Sequence, residues 1–218
     1  KKYKFLEKFI NKLPFELTRS QIKSINEIDI DLSSSYQMIR LLQGDVGSGK
    51  TIVSIIGMLN TYESGYQSAI MVPTEILANQ HFETIKNLLN PYNINVLLLS
   101  GKDKGKIREK KINIIENGVA NVIVGTHALI QDDVNFSKLG FVIIDEQHKF
   151  GVHQRLTFTY KGLRPNLLVM TATPIPRTLT LAVYGNMNES KLIEKPQGRL
   201  LINTISTPIS KINKLIEG

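Results

Sequence analysis

At 218 residues, with 42% hydrophobic and 21% charged residues, the chain is long enough for one sizeable core and ordinary in composition for a globular protein. It has no cysteine, which excludes a disulfide framework and a thiolate metal site, and no apolar run approaches the roughly eighteen residues of a membrane helix. A formal net charge of +8 suits a polyanionic partner without specifying one.

The first element in chain order is short and basic. Lys1, Lys2, Lys4, Lys8 and Lys12 interleave with Tyr3, Phe5 and Phe9, and the helical spacing of Phe5 and Phe9 favours a docking helix over an aromatic platform for bases. Thr18 followed three residues later by Gln21 is a capping-box pattern, and it opens a predicted helix from Thr18 to Asp31. A strand over 37–43 and a helix over 50–62 then flank the octapeptide Gly44-Asp45-Val46-Gly47-Ser48-Gly49-Lys50-Thr51. Next come a strand over 67–72, a helix over 75–89 with Thr74 as its cap after Pro73, and a strand over 95–99 that leads to Gly101. A run of Lys102, Lys104, Lys106, Arg108, Lys110 and Lys111 enters a helix over 104–117, and reads either as a solvated face or as a phosphate contact. Strands over 121–124, 141–144 and 166–170 follow, with a short irregular region before the last and a helix near 176–184 after it. Alternating strands and helices predict an α/β fold, a mainly parallel sheet with helices on both faces and right-handed crossovers. The chemically loaded residues all follow strands, at the edge where open α/β sheets bind ligands.

The octapeptide is a full G-x-x-x-x-G-K-[ST] phosphate loop in the strand–loop–helix context that the motif requires. Gly44, Gly47 and Gly49 let successive N–H groups turn inward as an anion nest in front of a helix N-terminus. Lys50 adds a point charge for the β- and γ-phosphates, and the Thr51 hydroxyl can ligate Mg²⁺. A glycine-rich turn that binds nothing is the plain alternative.

Phe141 to Ile144 form a short apolar run, as expected for a central strand buried on both faces, and it ends in Asp145-Glu146-Gln147-His148. A carboxylate at that end is placed to hold Mg²⁺, and the adjacent Glu146 to orient and deprotonate an attacking water. Acidic residues after a strand can also be helix caps or solvated loop residues; the phosphate loop upstream favours the catalytic reading. A transition-metal site at His148 and His153 lacks a convergent set of ligands.

The D-E-x-H box resembles that of superfamily 2 helicases and translocases, and further motifs of that group stand in the expected order. Leu17-Thr18-Arg19-Ser20-Gln21, Pro73-Thr74-Glu75-Ile76-Leu77, Gly125-Thr126-His127-Ala128-Leu129 and Thr171-Ala172-Thr173-Pro174-Ile175-Pro176-Arg177-Thr178 correspond to its Q-type, Ia, Ib and III motifs. The extended last motif, together with RLLQGDVGSGKT, PTEILANQH, VGTHALIQ and DEQHKFGVHQR, resembles the RecG family of branched-DNA translocases. Gln147 separates it from the related transcription-repair coupling factors, where Glu is expected. Lys149 stands where the family usually has Arg, which would weaken a bidentate contact, and Gln197 where a second Pro is common.

The resemblance implies a RecA-like lobe over residues 17–204, preceded by a linker helix over 1–16 from an upstream wedge domain and followed by a connection over 205–218 to a second lobe. ATP would lie between the lobes with Mg²⁺ on Thr51 and Asp145, and the second lobe would supply an arginine finger. Gln21, capped by Thr18 and with Phe15 stacking nearby, would read adenine; the capping role alone is the rival. Pro73, Thr74, Gly101, Gly125, Thr126 and His127 would touch nucleic-acid backbone. His148 would relay between the ATP site and Thr171 or Thr173, and Arg177 would contact the other lobe or DNA. Forked and junction DNA is the expected partner of a monomeric, cytoplasmic, bacterial protein without membrane attachment. A binding module that holds ATP and DNA but hydrolyses nothing alone is the rival class, whereas a kinase or GTPase lacks its guanine-reading or lid signature.

Overall fold

The computed structural model describes residues 5–146, Phe158, 161–173, 187–194, 206, 208 and 209. The helices are α1 (Leu6–Asn11), α2 (Arg19–Leu32), α3 (Lys50–Glu63), α4 (Glu75–Leu89) and α5 (Gly105–Glu116). The strands are β1 (Ile39–Gly44), β2 (Gln67–Met71), β3 (Val96–Leu99), β4 (Val122–Gly125), β5 (Leu139–Asp145), β6 (Asn166–Thr171) and β7 (Asn188–Leu192). Short 3-10 turns at Asn90–Tyr92 and His127–Ile130 complete the described elements.

The seven strands form one sheet in the order β3-β4-β2-β5-β6-β1-β7, and every pairing is parallel. Alternate side chains feed two cores. Ile70, Val122, Val124, Phe141, Ile143, Leu168 and Met170 face the layer built by α1 to α4. Ala69, Met71, Ile123, Val142, Ile144, Leu167 and Val169 face the layer that holds Ile115 of α5 and Leu129. Period-two alternation through strands apolar on both faces is what a central parallel sheet demands.

Helix α3 is buried continuously from Ile52 to Thr61, which matches an apolar sequence all the way round. Gly57 lets it press on the sheet, because a Cβ there would lie 2.8 Å from the Phe141 ring. At the other end of the chain order, α1 docks as the aromatic spacing predicts: Phe9 is buried, and the rings of Phe5 and Phe9 lie 5.7 and 5.9 Å from that of Tyr92.

Two expectations need correction. Strand β7 was not anticipated, since Asn188-Glu189-Ser190-Lys191-Leu192 has little β propensity and buries only Ser190 and Leu192. It joins the sheet through main-chain pairing with β1, an edge position that asks little of its side chains. Strand β5 also outruns its apolar core, because Leu139 and Asp145 keep their pairing with Gln67 and Met170. The helix expected near 176–184 lies outside the described residues.

Arg40 ties β7 to the rest. Buried in β1, its guanidinium donates to Asp31 at 2.8 Å and Ser190 at 2.8 Å and pairs with Glu27 at 3.2 Å, while the Ser190 hydroxyl also bonds Glu27. Helix α2, strand β1 and the edge strand β7 are thereby held by one charge cluster.

Candidate nucleotide site and nucleic-acid edge

Between the end of β1 and the start of α3 the backbone turns back on itself. Gly47 (φ +77°) and Gly49 (φ +89°) occupy the left-handed region where a Cβ is strained. The Ser48 N–H donates to the Asp45 carbonyl at 3.0 Å. No side chain caps α3, so the N–H groups at the head of this 14-residue helix are left for an anion. The Lys50 ammonium donates to the carbonyls of Gly44 at 2.5 Å and Asp45 at 3.1 Å. Burial holds its pKa below the ordinary lysine value; the charges of Asp145, Glu146 and Asp45 oppose that shift without reversing it. A cation at once desolvated and short of compensating charge is a receptor for a polyanion. Ser48 Oγ supports the same reading, being buried without a hydrogen-bond partner among the described residues. Val46 is exposed beside it at the loop's rim.

The acid pair sits two strands away, at the end of β5. Asp145 is buried, and each oxygen of its carboxylate is held: Oδ1 accepts the Glu146 N–H at 3.1 Å, and Oδ2 lies 3.1 Å from His81 Nε2. Glu146 has φ +52°, unusual for a residue with a side chain, and its N–H also reaches the Met170 carbonyl at 3.1 Å. The chain therefore leaves the strand abruptly at the carboxylate predicted to act on water. Among the described residues no three His, Cys, Asp or Glu converge into a metal cage. That suits Mg²⁺, which takes one or two protein oxygens and completes its shell with phosphate and water; half-buried Thr51 and buried Asp145 supply a hydroxyl and a carboxylate of that kind.

Gln21 is buried, and both ends of its side-chain amide are engaged. Its Oε1 accepts the Thr18 N–H at 2.9 Å, Thr18 Oγ1 accepts the Gln21 N–H at 3.2 Å, and Gln21 Nε2 donates to the Ser48 carbonyl at 2.8 Å. The capping box is thus present and grips the phosphate loop. One N–H and one lone pair of the amide remain for a base. Phe15 is exposed. Glu194, just past β7, accepts the Ser20 N–H at 2.8 Å, and that bond holds its carboxyl below the usual range.

The residues expected at nucleic acid follow β2, β3 and β4, three neighbours at one side of the sheet, whereas the nucleotide residues follow β1 and β5 with motif III after β6. Thr74 is exposed and caps α4 by accepting the Leu77 N–H at 3.3 Å; Pro73 is half-buried beside it. Gly101 and His127 are exposed, while Gly125 is wedged so tightly that a Cβ would meet Leu129 at 2.8 Å. Thr126 is buried with its hydroxyl unpartnered among the described residues. The basic run is partly neutralised: Lys102 pairs with Glu75 at 2.8 Å, Lys111 with Asp103 at 2.6 Å and Arg108 with Asp133 at 2.8 Å, and Lys104, Lys106 and Lys110 stay exposed.

In motif III, Thr171 is buried and its hydroxyl lies 3.1 Å from that of Thr173 and accepts the Thr173 N–H at 3.1 Å. His148 and Arg177 lie outside the described residues, as do Gln147, Lys149 and Gln197. His81 was given no role by sequence reasoning. A signal existed: it stands three residues after Ala78 and four before Ile85, so a polar side chain occupies the buried stripe of α4.

A model of the DEAD/DEAH box helicase family matches residues 18–182, and with this fold and this loop the chain belongs to that family. Within it the similarity is to RecG. The chain is 55% identical over 198 residues to the ATP-dependent DNA helicase RecG of Aquifex aeolicus, covering 90% of this chain and 25% of that protein. It is 51% identical over 211 residues to RecG of Staphylococcus aureus, covering 97% and 31%. A solved structure of RecG bound to a three-way DNA junction superposes with a TM-score of 0.85 at 46% identity, over 98% of this chain and 29% of that one. The DEAD-box helicase Mss116 bound to ssRNA and UDP-BeF shares the fold, with a TM-score of 0.70 at 18% identity over 88% and 44%. The chain thus spans about a quarter to a third of the RecG proteins it matches.

Proposed function

We propose that this chain is the first, nucleotide-hydrolysing motor lobe of a RecG-type ATP-dependent DNA translocase that acts on forks and junctions. The observation that supports it best is the meeting, at one edge of the sheet, of a phosphate loop that ends in Lys50 at the head of α3 with the Asp145-Glu146 pair that ends β5, two strands away. A family likeness without that meeting would leave catalysis unexplained; the meeting alone would leave the substrate open. The RecG relatives are DNA helicases by name, and one is seen on a three-way junction.

In this reading the triphosphate lies along the loop. The N–H groups of α3 and the Lys50 ammonium take up the charge of the β- and γ-phosphates. Thr51 and Asp145 would hold Mg²⁺, which would neutralise charge that develops as the γ-phosphoryl is transferred. Glu146 takes the proton of the attacking water. Catalysis is positioning plus charge stabilisation, and the remaining charge falls to an arginine finger of a second lobe, worth a factor of about 10³–10⁵ in related systems. DNA would meet the backbone at Pro73–Thr74, Gly101 and Gly125–His127, contacts that hold register without reading sequence.

The test is steady-state ATPase of the full-length protein with forked DNA, linear duplex and none, beside the 218-residue chain alone. Forked DNA should stimulate most, and the chain alone should hydrolyse slowly with little response. Equal, DNA-stimulated rates from the chain alone would refute the two-lobe reading; no stimulation of the full-length protein by any DNA would refute the translocase.

A further inference from the structure

We infer that His81 is a positioning residue of the ATPase site, which holds the Asp145 carboxylate and makes α4 a mechanical link between the nucleic-acid edge and the metal-binding carboxylate. The inference rests on the functional reading above and adds to it the route by which one ligand's contact reaches the other.

The contact joins two residues 64 apart in sequence, with His81 Nε2 3.1 Å from Asp145 Oδ2 and both side chains largely buried, at 11% and 12% exposure. An ionised carboxylate only accepts, so Nε2 carries the hydrogen. Asp145 Oδ1 is already bound to the Glu146 N–H, and the His81 bond therefore sets the second oxygen and with it the plane of the carboxylate. Residues that orient a metal ligand in this way tune the site without touching the metal.

Packing alone does not account for His81. Its Nδ1 is buried without a hydrogen-bond partner among the described residues. An aliphatic side chain between Ala78 and Ile85 would fill the stripe without stranding a polar atom, so the imidazole is justified by what its other nitrogen holds.

The position on the helix supplies the link. Thr74, at the exposed head of α4, lies seven residues before His81, about 10 Å at the helical rise. Strand β2, which feeds α4, is the direct neighbour of β5, which carries Asp145. A backbone bound at Pro73–Thr74 thus acts on a rigid element whose second turn grips the carboxylate. Coupling of this kind needs a physical element that both ligands bias, and α4 is one.

The experiment compares full-length wild type with His81→Leu, which keeps bulk on the stripe and removes the donor, and His81→Gln, which offers an amide N–H to the same oxygen. A fluorescent ATP analogue is titrated with Mg²⁺ and with EDTA, and ATPase is measured across Mg²⁺ concentration with and without forked DNA. In His81→Leu the apparent Mg²⁺ affinity should fall about 10–100-fold, as for other lost supports of a metal ligand, while nucleotide affinity in EDTA holds. DNA stimulation should fall with it, and His81→Gln should recover most of both. A folded His81→Leu with wild-type Mg²⁺ dependence and stimulation overturns the inference. So does equal weakening of nucleotide binding in Mg²⁺ and EDTA, which marks a packing defect. Should His81→Leu not fold, a folded His81→Gln that has lost the Mg²⁺ response overturns it just as well. If wild type itself shows no DNA-stimulated hydrolysis, the functional reading fails first and the link fails with it.

Discussion

The side-chain amide of Gln21 donates to the Ser48 carbonyl at 2.8 Å while its own oxygen accepts the Thr18 N–H at 2.9 Å, so one residue closes the cap of α2 and clamps the phosphate loop. Gln21→Met keeps the length and loses both bonds. The Thr18 N–H and the Ser48 carbonyl, each left without its partner, cost about 1 kcal/mol apiece, so stability should drop by about 2 kcal/mol in urea denaturation. Preference for ATP over GTP should be lost as well. Equal weakening of both nucleotides would restrict Gln21 to capping and clamping.

Lys50→Ala in the full-length protein should abolish ATP hydrolysis and leave the melting temperature nearly unchanged. The ammonium is half-desolvated and, among the described residues, hydrogen-bonded to the loop's own Gly44 and Asp45 carbonyls, so its removal costs the fold little. Turnover at the wild-type rate would sink the phosphate-loop assignment.

Arg40→Met should destabilise strongly. The buried guanidinium is shared by Asp31, Glu27 and Ser190, and its loss leaves the Glu27 and Asp31 carboxylates, one turn apart on α2, without their common cation. Breaking a buried pair costs about 3–5 kcal/mol; since Glu27 and Asp31 keep 30% and 20% exposure, the lower end, about 3 kcal/mol, is expected. Calorimetry or denaturant titration measures it, and a loss below about 1 kcal/mol, the range of surface pairs, would show that the cluster is solvated.

The hydrogen bond from Arg108 holds the Asp133 carboxyl below its ordinary value of 3.8. A depressed carboxylate stabilises the fold above its unfolded pKa, and that contribution is lost as pH falls from about 3.8 through the lower folded value. Because the pair is near the surface, the loss should be at most about 1 kcal/mol. Arg108→Ala should flatten this part of the acid limb, and an unchanged slope in denaturation across pH 2–4 would refute the assignment.

Local chemistry was legible without coordinates. The phosphate loop and the Thr18–Gln21 cap each lie within eight consecutive residues or fewer, so their backbone geometry follows from the glycines and caps they contain; the Asp145-Glu146 pair was legible as a motif, but the positive φ of Glu146 was not. The apolar strands were legible for the same reason, since a strand buried on both faces announces itself as a continuous run.

Tertiary structure decided what depends on strand order. The link between His81 and Asp145 spans 64 residues and exists because β2 lies beside β5; that between Arg40 and Ser190 spans 150 and exists because β7 adds to β1. Strand β7 itself is polar, held by main-chain hydrogen bonds that any sequence can make. Half of the basic run is neutralised, by Asp103 within it and by Glu75 and Asp133, which only the fold brings beside Lys102 and Arg108. Periodicity reports which face of an element is buried, but the partner that buries it is chosen only when the sheet assembles.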